Sequence, residues 1–337
     1  MLTNPKTLMF MLTLISGTLI SVSATSWYGA WMGLEINLLS FVPLISSTNN
    51  QRMTESALKY FLIQALASMV LLMAVIMMSF NQNIIEQMTN AMMTTALTLK
   101  LGAAPMHFWM PEVMEGMNWG NCIILMTWQK LAPLTLLSYN TSPVTLIVMI
   151  TISSVFIGAI GGLNQTSLRK IMAFSSINHA GWLIGAMLCN NTSWFLYFTL
   201  YTILTLMATS IFMTSKTFHI NQTFNAKMDP LTKLAIFTGL LSLGGLPPFL
   251  GFLPKWIVIM TMTQSLYIFT IIVMVMTALI TLYYYMRIAY SAFILTHSTA
   301  NWTPNKISWE EKTTSMSVII LSLTGLMMTP LIMGLTM

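Results

Sequence analysis

The sequence predicts an all-α polytopic membrane protein. Eleven transmembrane helices are expected, as two inverted five-helix repeats, each with a broken fourth helix, plus one extra C-terminal helix. Three observations lead there. Of 337 residues, 56% are hydrophobic and only 7% are charged, against about 25% charged in a soluble domain. Mean hydropathy is +0.75, and apolar runs long enough to span a bilayer recur from end to end. These runs are continuous rather than alternating, which selects helices over a barrel. The third observation is that Gly/Pro interruptions fall in two long runs at matching places in the order.

The elements follow in chain order. The first span, 8–22, comes after one lysine, and no small-residue cleavage site follows it, so it reads as a retained helix. Apolar runs then place spans at 27–45, 57–80, 91–109, 119–137, 144–163, 171–188 and 194–213. The ninth run, 231–262, would measure about 48 Å if continuous, against a hydrocarbon core of about 30 Å. Its interior, GGLPPFLGFLPKW (Gly244–Trp256), holds three prolines and three glycines that must interrupt it. It is either one broken span or two short ones. Spans at 266–294 and 315–335 complete the set.

Loop charge arbitrates. With eleven spans, Lys6, Arg52, Lys59, Arg169, Lys170, Lys216, Lys227, Lys233, Arg287, Lys306 and Lys312 all fall on the N-terminal side. The opposite loops carry no Lys or Arg, only Glu86. Splitting the ninth run would move Arg287, Lys306 and Lys312 to the other face, so the one-sided pattern favours eleven spans with a positive-inside N-terminus. The net charge of +6 is therefore a topology signal, not a nucleic-acid footprint. Cys122 and Cys189 are too few for a disulfide framework or metal site. His107, His179, His219 and His297 lack bis-histidine haem spacing. There is no CxxC, P-loop or dinucleotide fingerprint. Tripeptides such as those at Asn190 and Asn301 match glycosylation acceptors, a pattern common by chance. The 33 methionines suit apolar packing and hint at a mitochondrial code.

Three basic residues, Lys100, Lys130 and Lys255, remain inside the expected membrane, together with Glu35. Each charge at mid-membrane costs about 2.5–3.5 kcal/mol on insertion scales, and four unpaired charges would rival a typical net folding stability. Pairing, hydration or proton release must offset that. A desolvated lysine loses its proton more readily, and a nearby carboxylate opposes the loss; a carboxylate that moves can therefore switch a lysine between holding and releasing a proton. Lys100 lies beside the Gly/Pro break of the fourth helix, about ten residues from either helix end, and Lys255 lies beside the break of the ninth. Paired interrupted helices in inverted halves point to an ion-handling core. The second helix of each half carries an ionisable group, Glu35 and then His179. His179 is a relay group or a satisfied structural histidine. Glu35 is a moving partner or half of a static pair. Lys59 is expected to snorkel, His107 to lie at the interface, and Glu112 and Glu115 to sit in a solvated loop on the basic face.

The stretches WMGLEINLLSFVPL, ALKYFLIQALAS, LKLGAAPMHFWMPEVMEG, TWQKLAPL, GGLNQTSLRKIMAFSSINHAGW and SLGGLPPFLGFLPKW resemble the antiporter-like membrane subunits of respiratory complex I, a family shared with Mrp-type cation/proton antiporters. The phrasing is most similar to mitochondrial insect members and covers residues 1 to about 290. The resemblance implies a Glu35–Lys100 pair, Lys130 as a bridging lysine, Lys255 facing the exit side and His179 on the central axis. Between Lys130 and Lys255 the further ionisable groups of larger members are missing, leaving water and hydroxyls such as Ser175, Ser176 and Tyr284. It also implies proton translocation in the mitochondrial inner membrane, with the N-terminus in the matrix and the C-terminus in the intermembrane space. FMN, iron–sulfur clusters and ubiquinone are expected in other subunits of the complex and no cofactor in this chain. The expected partners are other membrane-arm subunits, including further antiporter-like ones, and lipids, with no nucleic acid. The repeats are expected at 1–140 and 141–295, followed by a loop and helix at 296–337. A stand-alone cation/proton antiporter and a structural scaffold are the competing readings.

Overall fold

The computed structural model describes residues 5–47, 50–78, 83–223, 230–294 and 309–324. Lys227, His297, Asn301, Lys306 and the ends of the expected third and eleventh spans lie outside the described residues. Those residues form fifteen helices. Among the described residues there is no named strand, and one isolated antiparallel bridge joins Ser167 and His219. The chain divides into two units, Met1–Ser154 and Val155–Met337.

The first unit contains α1 (Pro5–Ser23), α2 (Trp27–Ile45), α3 (Gln51–Met78), α4 (Asn83–Leu101), α5 (Trp109–Gly116), α6 (Trp119–Met126), α7 (Trp128–Tyr139) and the start of α8 (Val144–Gly161). Helix α2 begins at Ser26, whose side chain accepts from the Gly29 amide, a standard N-cap. It lies flat on α1, where a Cβ on Gly17 would come within 2.9 Å of the Asn37 amide nitrogen; small residues let two membrane helices touch backbone to backbone. Helix α3 packs on α2, α4 and α5, and α7 packs on α4 and α1. The first unit thus brings α2, α3, α4 and α7 together around the end of α4.

The second unit holds the remainder of α8, then α9 (Leu168–Met187), α10 (Asn191–Thr214), α11 (Ile220–Thr223), α12 (Pro230–Gly244), α13 (Phe252–Gln264), α14 (Ile268–Ile294) and α15 (Trp309–Leu323). Helix α9 is buried on every face from Ile171 to Met187, with few exceptions, because α10 and α13 cover it. Helices α1, α2, α3, α8, α10 and α14 are the six among the described residues long and apolar enough to cross a membrane; α12 and α15 are shorter apolar helices.

Three expected spans are interrupted. The fourth ends at Leu101 and resumes as α5, so the run expected to reach residue 109 is shorter. The ninth stops at Gly244 and resumes at Phe252, as its glycines and prolines require. The fifth is divided at Thr127, an interruption the sequence reading did not anticipate. There the backbone leaves the helix at φ −109°, ψ −72°, and the Thr127 hydroxyl donates to the Ile123 carbonyl at 2.7 Å. Glu112 and Glu115 lie on α5, not in a loop.

Candidate functional site

The first break is built by a cap. The Gly102 amide donates to Leu99 O at 3.1 Å and the Ala103 amide to Thr98 O at 3.0 Å, the two bonds of a Schellman motif. Gly102 has φ +70°, a left-handed conformation that costs an L-residue about 1–2 kcal/mol. Carbonyls at a helix end need outside donors. The Gln64 amide supplies one to Lys100 O at 3.3 Å, and the Trp109 indole donates to Leu99 O at 3.1 Å.

Lys100 is therefore the penultimate residue of α4, not a mid-helix residue with ten neighbours on either side. The negative end of a helix dipole favours a cation there. Lys100 is 7% exposed, and among the described residues its ammonium has no hydrogen-bond partner. Lys130, the third residue of α7 just past the Thr127 bend, is 2% exposed. Both lysines line one cavity of about 20 Å³ whose other polar walls are Asn37, Tyr60, Gln64 and Gln129. That volume admits about one water, and the walls offer the polar partners a buried water needs. The Gln129 amide donates to Asn37 Oδ1 at 2.9 Å, and Tyr60 donates to Gln129 Oε1 at 3.4 Å.

Glu35 is half-buried on α2, and its Oε2 is buried without a hydrogen-bond partner. Its field reaches the Lys100 ammonium, yet no ion pair forms between them. An ion pair does form between Lys59 and Glu112 at 2.7 Å, with both side chains more than half exposed. Lys59 thus reaches outward from its helix, whereas His107, expected at an interface, is buried, with Nδ1 3.2 Å from Pro105 O.

The second break carries the same cap. The Gly245 amide donates to Ser242 O at 3.1 Å and the Leu246 amide to Leu241 O at 3.4 Å, with Gly245 at φ +80°. Lys255 belongs to α13, after the break, and folds back over it. Its ammonium donates to Gly244 O at 2.8 Å, and the residue is 6% exposed. A Cβ on Gly245 would stand 3.0 Å from Lys255 Cδ. The ammonium lies 5.8 Å from the Trp182 ring centroid, within cation–π range. Trp182 stacks on Tyr197 with an interplanar angle of 6°, and Tyr197 Oη is 2.8 Å from His179 Nδ1. The second unit thus joins Lys255 and His179 into one buried array. Ser175 and Ser176 turn their hydroxyls to the carbonyls of Met172 and Ala173.

Sequence reading did not single out Asn37, Gln64, Gln129, Trp182 or Tyr197. For the first three a signal was available: amide side chains inside apolar spans are costly unless they serve something. Among the described residues, no three His, Cys, Asp or Glu side chains converge as a metal would require.

The family described as NADH:quinone oxidoreductase/Mrp antiporter, TM, matches residues 24–281. The chain belongs to this family. The NADH-ubiquinone oxidoreductase chain 2 of Anopheles gambiae is 50% identical over 331 residues, covering 96% of each chain. That of Aedes aegypti is 51% identical over 330 residues, again covering 96% of each. Among solved structures, a chain of respiratory complex I from Thermus thermophilus with bound aureothin superposes with a TM-score of 0.84 at 22% identity, covering 97% of this chain and 80% of that one. At that identity the superposition speaks for the fold alone. Membership of the NADH:quinone oxidoreductase/Mrp antiporter family makes this a membrane protein, and the family region includes both capped breaks and all of Glu35, Lys100, Lys130, His179 and Lys255.

Proposed function

We propose that this chain is the antiporter-like, proton-translocating core subunit of a mitochondrial NADH:ubiquinone oxidoreductase. The observation that carries the reading is the pair of buried lysines, Lys100 and Lys130, on one water-sized polar cavity beside a capped helix break. The names of relatives that match along nearly the whole chain support the enzyme, and the mitochondrial inner membrane is part of the same reading. Redox chemistry belongs to other subunits, which carry FMN, iron–sulfur clusters and ubiquinone, and this chain works beside further antiporter-like subunits and lipid.

The chain crosses the membrane eleven times, with its N-terminus in the matrix and its C-terminus in the intermembrane space. Residues 1–140 and 141–295 are the two inverted repeats, and 296–337 the closing loop and helix. Supporting this are the one-sided loop charge and the identical caps at the two breaks. In the proposed cycle, a charge or conformational signal arrives along the membrane arm and moves Glu35 relative to Lys100. A carboxylate that approaches holds the lysine's proton, and one that retreats lets it go. The released proton passes by way of a water in the shared cavity to Lys130. Lys255 serves the exit side, with His179 in its array.

Lys100→Met in the assembled complex tests this. The expected result is normal assembly on native gels with NADH-driven proton pumping reduced at least about tenfold, the scale of a lost acid–base group. Pumping that stays intact per NADH oxidised would leave only the scaffold, and cation exchange without NADH would mark a free-standing antiporter.

A further inference from the structure

The second unit contains a cavity of about 770 Å³ that is lined by none of Lys100, Lys130, His179 or Lys255, with Tyr284 in its wall. It falls in the size range of ligand pockets. One wall is the loop 162–167, fixed by the bridge to the segment after α10: the Leu168 amide donates to Phe218 O at 2.9 Å and the Ile220 amide to Thr166 O at 3.0 Å. The opposite wall is the C-terminal part of α14, with Tyr283, Arg287 and Tyr290 all exposed. Deeper in, Ile171, Ile220 and Ile288 make an apolar floor.

The charge at this site is one-sided. Among the described residues, no Asp or Glu lines the cavity. Arg287 carries five N–H donors, and its hydrogen bond is a long one, Nη1 to Leu163 O at 3.4 Å. That contact ties the guanidinium to the loop wall through one of its nitrogens. Arg169 and Lys170 follow directly after the loop wall. Exposed tyrosines beside a cation are what a headgroup region selects. A free phosphate would answer the guanidinium but not the isoleucine floor; a phosphate carrying acyl chains answers both.

We infer that this cavity binds an anionic phospholipid, its headgroup phosphate on Arg287 and an acyl chain over Ile171, Ile220 and Ile288. The site requires only that the chain be embedded in a membrane, so it stands apart from the proton relay. The test uses the intact complex in membranes doped with photoactivatable lipids, one phosphatidylglycerol and one phosphatidylcholine, followed by peptide mapping. The anionic probe should label the peptides containing 162–171 and 283–290 about tenfold more than the zwitterionic one, the scale of a charge-assisted hydrogen bond. Arg287→Gln should lower that labelling about tenfold, and Arg287→Lys should retain most of it. Millimolar inorganic phosphate should not compete. Equal labelling by the two probes in the native complex overturns the inference, and that comparison holds even if Arg287→Gln fails to assemble. Effective competition by phosphate, or cross-linking of the cavity to a neighbouring polypeptide in place of lipid, overturns it too.

Discussion

An ammonium group inside lipid has to be compensated by something within a few ångströms, and the two breaks solve this differently. Lys255 donates to Gly244 O at 2.8 Å, at the negative end of α12, and sits against Trp182. Lys100 has no such bond among the described residues and faces the cavity it shares with Lys130. A fixed amine is a stable carrier of charge; an amine facing a water-sized space can exchange a proton. Gln129→Leu should separate these roles. It removes the donor to Asn37 and the acceptor for Tyr60, leaving the cavity with fewer polar partners, while the surrounding helices keep their apolar contacts. Assembly should hold and the NADH-coupled pumping rate in reconstituted vesicles should fall about tenfold, matching 1–3 kcal/mol for an unsatisfied buried polar group. A native pumping rate would take this cavity out of the proton path. Lys255→Met should act on stability as well, since Gly244 O loses its donor at about 1–3 kcal/mol, read as a lower melting temperature of the complex.

At the scale of elements, the breaks depend on two glycines. Gly102 and Gly245 adopt φ +70° and +80°, and alanine in that region costs about 1–2 kcal/mol before any clash. Gly245→Ala should do more than its counterpart, because its methyl meets Lys255 at 3.0 Å and would push the amine from Gly244 O. Gly102→Ala meets Met110 Sδ at 3.0 Å and Trp109 Cζ2 at 3.2 Å, neither of which holds an amine in place. Both variants should melt earlier, and Gly245→Ala should also lose pumping beyond its loss of stability; equal behaviour would mean that the Lys255 position is irrelevant. Both breaks were legible because glycine and proline announce themselves. The bend at Thr127 was not: the backbone leaves the helix there at φ −109°, ψ −72°, while threonines with the same i−4 hydroxyl bond, such as Thr205 and Thr209, sit inside the continuous α10. Nor was the bracing by α15, which the sequence leaves as an extra helix. It packs on α10 and α12, and its Ser322 carbonyl accepts from the Leu250 amide inside the second break at 3.1 Å.

For the whole molecule, composition settles the membrane, since so few charges cannot cover a wetted surface, and the continuity of the apolar runs settles helices. The buried lysines were legible for the same reason: there are few basic residues, and these three stand apart from the loops. Part of their surroundings was not, because Trp182 and Tyr197 gain meaning only from neighbours distant in sequence. Orientation is the remaining whole-chain property, and it rests on one-sided basic loops. Lys59, Lys216 and Lys312 are exposed, whereas Lys100, Lys130 and Lys255 are buried. A membrane-impermeant amine reagent should therefore modify the first three in inside-out particles, where the matrix face is open, and none of them in mitoplasts. The second three should resist from either side. The pattern is demanding, because an odd error in the number of crossings between Lys59 and Lys312 would put them on opposite faces. Labelling split between the two preparations would overturn the proposed eleven-span topology, and with it the proposed inversion of the repeats, which requires an odd number of crossings in the first.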